Sequence, residues 1–506
     1  MAVEKKAAGG KPSIIRPLGN VECYEFHMIQ LGYLSNTIVN CRYTPLPSLA
    51  APDLHDQVVA RLEDAIARVV LEHPALRVDL VNAETKRPAW VAVETVDLAH
   101  HVQWEDVKAT VNYDEFLRER IEKRLDEPSP ALQGRPKWRA LVLVRTGESP
   151  FLDVIFDYNH ALGDGTSGKI FHETLLRMLN TPATQPVLTN RVLRIPSTAR
   201  SLAPPIEKIC KFSFSAKYTI STAWKELKPR GFASPSASQA NWAPIRATPY
   251  KTQFRTFDVE PELLQNILTA CRTHKTTVTG LLHALVLVSI ASHLHPRDAT
   301  AFTGSTALDL RRHVPAHPGL EPKRTIADYV SVMAHEFDAD LVREIREAAA
   351  SIDSVDDDTP IPALVDLVWQ CATRVRGEIQ KRLDLGLKNE IVGLMKLVPD
   401  WRAQHRTDAS KPRPYSFVVT NLGVLDGAGM RADIEDSGLD RWGIEHSVFA
   451  TSAEVCGAAF QVAPISVQDK ALCVGCSWQD CVVDVKLAEA IVADLERWLR
   501  FLGKSS

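Results

Sequence analysis

One strand that must stop at a fixed point and hand over to a helix constrains this chain more than any other feature. From Phe151 to His160 the residues alternate, so Leu152, Val154, Phe156, Tyr158 and His160 fall on one face by the two-residue period of a strand. After Gly165 the period changes. Phe171, Leu175, Met178 and Leu179 recur at helical spacing, which predicts a helix beginning near Thr166. Between them lies the Gly-rich turn Ala161-Leu162-Gly163-Asp164-Gly165. The strand therefore delivers one imidazole to its end, just ahead of a helix N-terminus, and such a place can hold a general base still.

At 506 residues the chain exceeds what one hydrophobic core usually serves, so two domains are expected. Apolar residues make up 45% and charged residues 24%, as in ordinary globular proteins. A net charge of -3, with no basic stripe interleaved with aromatics, argues against nucleic-acid binding. Nine cysteines run from Cys23 to Cys481 without a framework, which suits reduced thiols in the cytoplasm. Met1 to Pro12 lacks the apolar core of a signal peptide, and the Ser-Ser terminus carries no lipidation signal. The apolar run from Gly280 to Ala291 is too short to span a bilayer and reads as a buried helix, so no stable membrane insertion is expected.

In chain order, residues 1–15 read as a loose tail, followed by a strand over Asn36 to Tyr43 and a helix from Asp53 to Glu72 that Pro74 stops. Extended chain follows to Val81. A helix fits Asp114 to Leu125, and Trp138 to Val144 reads as a strand pairing with the histidine strand across a turn at Gly147. Strands alternating with helices imply an α/β layer architecture. Between about 181 and 250 prolines and the Ser234-Pro235-Ser236-Ala237-Ser238 run mark a linker, within which Ile206 to Trp224 is apolar enough to pack on both domains. The second half restarts with a strand over Gln253 to Val259 and helices from Pro261 and Thr279. A strand follows from Phe302 to Arg311, then a long helical region from Pro362 to Lys396. Strands at Tyr415 to Gly423 and around Phe460 and Val474 precede a closing helix from Asp484 to Leu502. The expected division is 1–200, a linker over 201–250, and 251–506, with a shared order of elements that hints at duplication.

His160-Ala161-Leu162-Gly163-Asp164-Gly165 resembles the His-x-x-x-Asp-Gly signature of the CoA-dependent acyltransferases of the chloramphenicol-acetyltransferase and condensation-domain superfamily. Arg16-Pro17-Leu18-Gly19-Asn20-Val21-Glu22 resembles the opening of fungal alcohol acetyltransferases, and His73-Pro74-Ala75-Leu76-Arg77 the turn after their first helix. Thr277-Val278-Thr279, Asp309-Leu310-Arg311 and Asn421-Leu422-Gly423 are similar to later landmarks of the superfamily, in the right order. The resemblance covers nearly the whole chain. It implies an α/β (two-layer α+β) protein of two chloramphenicol-acetyltransferase-like subdomains in a V, with a tunnel at their interface and His160 midway along it. The Asp-Phe-Gly-Trp-Gly signature of the plant BAHD branch is missing. Asn159 stands where condensation domains of peptide synthetases carry an additional His.

The resemblance implies a free-standing O-acyltransferase, most simply an acetyltransferase. It would move an acyl group from acetyl-CoA or another acyl-CoA to a small-molecule alcohol such as a fungal terpenoid or polyketide. His160 would be the general base, with no acyl-enzyme, no metal and no permanently bound cofactor. No nucleophile-elbow pattern surrounds any serine or cysteine. Asp164 would fix the loop by pairing with an arginine, for which Arg311 is the candidate. Gly165 would leave room for substrate or the helix start. Thr420 and Asn421 are candidates for stabilising the oxyanion. A monomer is expected. Rival readings keep the fold but acylate an amine, use carrier-bound thioesters, or only bind or cyclise a ligand.

Plainer readings also apply elsewhere. Arg311 and Arg312 also read simply as strand-end charges, and Asn421-Leu422-Gly423 as a turn. Cys473-x-x-Cys476 with Cys481 lacks a nearby His to complete a zinc site. His293 and His295 are expected at the surface, and Asp356-Asp357-Asp358 in a solvated loop. Lys323, Arg324, Lys411 and Arg413 are equal candidates for holding CoA phosphates.

Overall fold

The computed structural model describes residues 13–44, 55–108, 110–128, 134–145, 150–182, 185–197, 201–227, 237–350, 362–428 and 441–504. The Gly147 turn, residues 1–12, Ser234 to Ser236 and the Asp356 to Asp358 run lie outside them.

Two mixed sheets organise the chain. The first has the order Gly443–Thr451, Asn36–Thr44, Phe151–Asn159, Trp138–Arg145 and Val102–Val107. Neighbours are antiparallel except for the last pair. The expected histidine strand lies at its centre and is buried along both faces. Its inner face carries Val154, Phe156 and Tyr158, and the Phe156 ring stacks 3.8 Å from Phe171 of the following helix. The opposite face carries Asp153 and Asp157, which the alternation alone would send to solvent. Both are buried because arginines neutralise them: Arg42 lies 3.1 Å from Asp153, and Arg139 2.7 Å from Asp157.

The second sheet runs Thr252–Val259, Leu472–Gln479, Ala458–Val467, Tyr415–Val419, Phe302–Asp309 and Val330–Phe337, with Gly423–Leu425 added beside Ala458–Val467. The helix Val278–His293 packs under it, apolar all round and buried as its composition requires. No single described helix is long and apolar enough to cross a membrane.

The halves are not separable at one cut. Strand Gly443–Thr451, far along the second half, leaves its neighbours and completes the first sheet beside Asn36–Thr44. Its Trp442, Ile444, Val448 and Phe449 share one core cluster with Ile38, Val39 and Phe171. The intervening segment also packs across the seam: Ile206 and Cys210 join Val21, Leu310, Tyr329 and Val392 in one small cluster.

Two local expectations need correction, and one helix lies where no element was expected. Ile14–Pro17 is a strand paired with Ala89–Ala92 and not loose tail, held by Arg16, which pairs with Glu22 at 2.7 Å and donates to the Ala203 carbonyl. The helix Asn20–Gln30 gave no clean apolar period because its buried face includes Glu22 and His27. The long helical region ends at Asp384, where Gly386 takes a positive φ of 56°, and a separate 3-10 segment follows at Ile391–Leu397.

Candidate active site

The histidine strand ends at Asn159 because side chains take over from the ladder. Asn159 Oδ1 accepts the Ala161 N–H at 2.9 Å, starting a single 3-10 turn over His160–Leu162. The Gly163 N–H closes that turn on the His160 carbonyl at 3.1 Å. Asp164 then caps the helix Gly165–Asn180, its Oδ1 accepting from the Ser167 N–H at 3.0 Å and the Ser167 hydroxyl at 3.1 Å. The Tyr158 hydroxyl donates to the Asp164 carbonyl at 2.7 Å, tying the strand to the cap.

The structure brings Asp164 and Arg311 together from opposite halves. Arg311 Nη1 lies 2.6 Å from Asp164 Oδ2, and the two side chains are 2% and 3% exposed. Asp164 Oδ2 also accepts the Tyr329 N–H at 3.0 Å. The other end of the guanidinium donates to the Ala327 carbonyl at 2.7 Å and to Ser167 Oγ at 3.1 Å. Arg311 is thus a buried cross-brace held through both terminal nitrogens, not a solvated strand-end charge. Arg312, its neighbour, is exposed.

His160 itself sits where the halves meet, with 17% of its side chain exposed. Asp328, from the segment leading into Val330–Phe337, places Oδ2 3.8 Å from His160 Nδ1. Glu25, from the helix Asn20–Gln30, completes a group in which one ligand-type atom of each residue lies within 4.8 Å of the others. Neither Asp328 oxygen nor His160 Nδ1 has a hydrogen-bond partner. Burial pushes the His160 ring toward losing its proton, but Glu25, Asp328 and Asp164 push harder the other way, and the ring ends above its ordinary value. The same burial raises the Glu25, Asp328 and Glu454 carboxyls, which the imidazolium opposes. Asp328 and Glu25 carry no sequence signal beyond a charged residue in an apolar setting; only the fold gathers positions 25, 160 and 328.

Asn421 donates from Nδ2 to Thr279 Oγ1 at 3.0 Å and accepts the Gly423 N–H at 2.7 Å, so the turn expected there is built by its side chain. The Thr420 N–H is used on the Val462 carbonyl. A Cβ on Gly165 would meet Leu422 at 2.8 Å and Phe449 at 2.9 Å. The close approach at Gly165 is therefore to the Asn421 turn and the crossover strand. Thr420, Asn421 and Gly165 belong to one seam.

A cavity of about 1070 Å³ reaches Asn159, next to the imidazole, and is lined by Phe26, Leu34, Val93, Asp126 and Tyr250 among others; His160 is not among its lining residues. Of the basic candidates, Arg413 is buried and donates to the carbonyls of Ala243, Glu454 and Gly457. Lys411 pairs with Asp408 at 2.8 Å, Arg324 with Glu72 at 3.4 Å, and Lys323 is exposed. Near Cys473 the sequence showed no histidine, but the crossover strand supplies one: His446 Nε2 lies 3.0 Å from Asp258 Oδ1, and Asp258, His446 and Cys473 form a second group within 4.8 Å. Burial pushes the Asp258 carboxyl up, but hydrogen bonds from His446 and Cys473 and the nearby charges of His446 and Arg42 bring it below its ordinary value. His293 is partly exposed and pairs with Asp494 at 2.9 Å.

Among solved structures, the chain is similar to TRI3 trichothecene 15-O-acetyltransferase from Fusarium sporotrichioides, with a TM-score of 0.69, 12% identity and coverage of 99% of this chain and 97% of that one. It is similar also to the condensation domain of the Monacolin K polyketide synthase MokA, with a TM-score of 0.56, 12% identity and 98% coverage of both. The fold is thus the chloramphenicol-acetyltransferase-like fold that acetyltransferases and condensation domains share.

The alcohol acetyltransferase family model matches residues 104–334. Over 505 residues the chain is 27% identical to probable alcohol acetyltransferase FCK4 of Fusarium pseudograminearum, covering 98% of this chain and 96% of that protein. It is 26% identical to probable alcohol acetyltransferase crmB of Aspergillus fumigatus over 469 residues, covering 90% and 92%. The resemblance to the fungal alcohol acetyltransferases holds: residues 104–334 match their family model, and nearly the whole chain aligns with these two relatives.

Proposed function

We propose that this chain is an acyltransferase that moves an acyl group, most simply acetyl, from CoA to the hydroxyl of a small molecule, with His160 as general base. The observation that carries the reading is the placement of His160: a partly exposed imidazole at the seam of the two halves, with Asp328 Oδ2 3.8 Å from Nδ1. With Asp328 on the Nδ1 side, Nε2 is the nitrogen left for the acceptor. In the step proposed, the hydroxyl proton passes to Nε2 as the oxygen attacks the thioester carbon. The tetrahedral intermediate then collapses, the C–S bond breaks, and the imidazolium returns the proton to the departing thiolate. One ring serves as base and then acid, and no acyl-enzyme forms.

Asp164 and Arg311 act at one remove. Their buried pair fixes the turn that carries His160, so their part is structural. Asn421 and Thr420 are assigned to the oxyanion, a role supported by the packing of the next residue, Leu422, against Gly165 at the start of the helix Gly165–Asn180. The cavity beside Asn159 is large enough for a polycyclic alcohol, and its mixture of apolar and polar lining suits a terpenoid or polyketide acceptor of fungal secondary metabolism. TRI3 bears the name of a trichothecene acetyltransferase, which agrees with that class. The nine unpaired cysteines fit a reducing, cytoplasmic setting. The acting species proposed is a monomer.

Donor competition tests the reading. Acetyl-CoA and a carrier-bound acetyl thioester are offered with matched alcohols and amines, and ester and amide products are quantified. Ester from the CoA donor is expected to dominate. Product confined to the carrier-bound donor, or amide in place of ester, would replace this reading with one of its rivals.

A further inference from the structure

We propose that Glu25 is a positioning residue of the transfer reaction, forming with Asp328 a carboxyl pair around His160 that sets the pH at which the ring can accept the acceptor's proton. The inference rests on His160 being the base. It starts from geometry: Glu25, His160 and Asp328 each place a polar atom within 4.8 Å of the other two, and they come from three separate parts of the chain. Two carboxyl groups that close cannot both be ionised unless a cation lies with them. Arg311, the cation of the adjoining loop, is committed to Asp164 at 2.6 Å. That leaves the imidazole as the compensating charge. Neither oxygen of Asp328 is hydrogen-bonded, and among the described residues no hydrogen bond engages the Glu25 carboxyl, so the pair's energetics run through the ring.

The groups acting on this cluster are Glu25, Glu22 and Tyr24 of the first helix, Asp164 with Arg311, Asp328, and Glu454 with Arg413 after the crossover strand. All but Arg311, Arg413 and the phenol favour a protonated ring. Removing the Glu25 charge therefore lowers the pH at which His160 becomes neutral. The neutral base is present above the ring's pKa, so kcat/KM rises with pH through that value, and the acid limb of the profile reports it.

The experiment measures kcat/KM for CoA-dependent ester formation against pH in the full-length protein, in Glu25→Gln and in Glu25→Asp. The wild-type limb is expected above the ordinary imidazole value of about 6.5. In Glu25→Gln, which keeps shape and loses charge, the midpoint is expected to fall by about one unit or more. Glu25→Asp, which keeps charge, is expected to stay near wild type. A Glu25→Gln midpoint equal to wild type overturns the proposal, even if the rate drops, because a merely structural role would lower the rate without moving the limb. Should Glu25→Gln fail to fold, NMR titration of the His160 ring in the wild-type protein, assigned through His160→Gln, decides instead. A ring that titrates at its ordinary value overturns the proposal. Full activity in His160→Ala would remove the underlying base assignment, an outcome distinct from an unmoved limb.

Discussion

Removing the Asp164 carboxylate is expected to destabilise the protein out of proportion to the size of the side chain. Asp164→Ala strips the acceptor from four donors at once: Arg311 Nη1 at 2.6 Å, the Tyr329 N–H at 3.0 Å, the Ser167 N–H at 3.0 Å and the Ser167 hydroxyl at 3.1 Å. The guanidinium left behind is 2% exposed, and its remaining carboxylate, Asp309 at 3.3 Å, is 41% exposed. Orphaning one member of a buried pair costs about 3–5 kcal/mol. Losing the helix cap alone costs about 1 kcal/mol. The two losses share partners and do not add fully, so about 4 kcal/mol is the working figure. That is a large part of the about 5–15 kcal/mol that holds a domain folded.

Urea denaturation of Asp164→Ala reads the loss, and Asp164→Ala with Arg311→Met supplies the control. Most of the penalty belongs to the stranded charge, so the double variant is expected to regain about 2 kcal/mol over the single one. A single-variant loss under about 1 kcal/mol would refute the reasoning. So would a double variant no more stable than the single, since the pair would then be acting as an exposed ion pair does.

Other outcomes follow from the same geometry. Asn421→Ala is expected to lower kcat about 10²-fold with little change in KM for either substrate, measured by steady-state ester formation; an unchanged kcat would return Asn421 to a turn residue. Arg413→Lys is expected to lower the thermal midpoint, because an ammonium cannot span the three carbonyls Arg413 bonds, while leaving KM for acetyl-CoA unaltered. A raised KM with an unchanged melt would instead put Arg413 on the CoA phosphates.

The legible parts of the chain were those whose neighbours are close in sequence. Trp138–Arg145 and Phe151–Asn159 form an antiparallel pair across a short connection, and their alternation is enough to find them. The helix Val278–His293 is recognisable because every face is apolar. The crossover strand Gly443–Thr451 was not legible. Its partner lies some four hundred residues earlier, at Asn36–Thr44, and both its faces are covered, so alternation is blurred. The helix carrying Glu25 escaped for a related reason, since Glu22 and His27 interrupt its buried face and are satisfied by Arg16 and the Cys23 carbonyl. At the site, His160, Asp164 and Gly165 could be read as one motif. Glu25, Asp328 and Glu454 could not, because nothing in their spacing reveals a cluster that only tertiary packing creates.

The account stands or falls on the imidazole. His160→Ala, shown by its circular dichroism and melting curve to be folded, is incubated with acetyl-CoA and a panel of alcohols, and both free thiol and ester are quantified. A fall in kcat of about 10²-fold or more is expected. Ester formation at the wild-type rate would contradict the central claim and send the search for the base elsewhere along the seam.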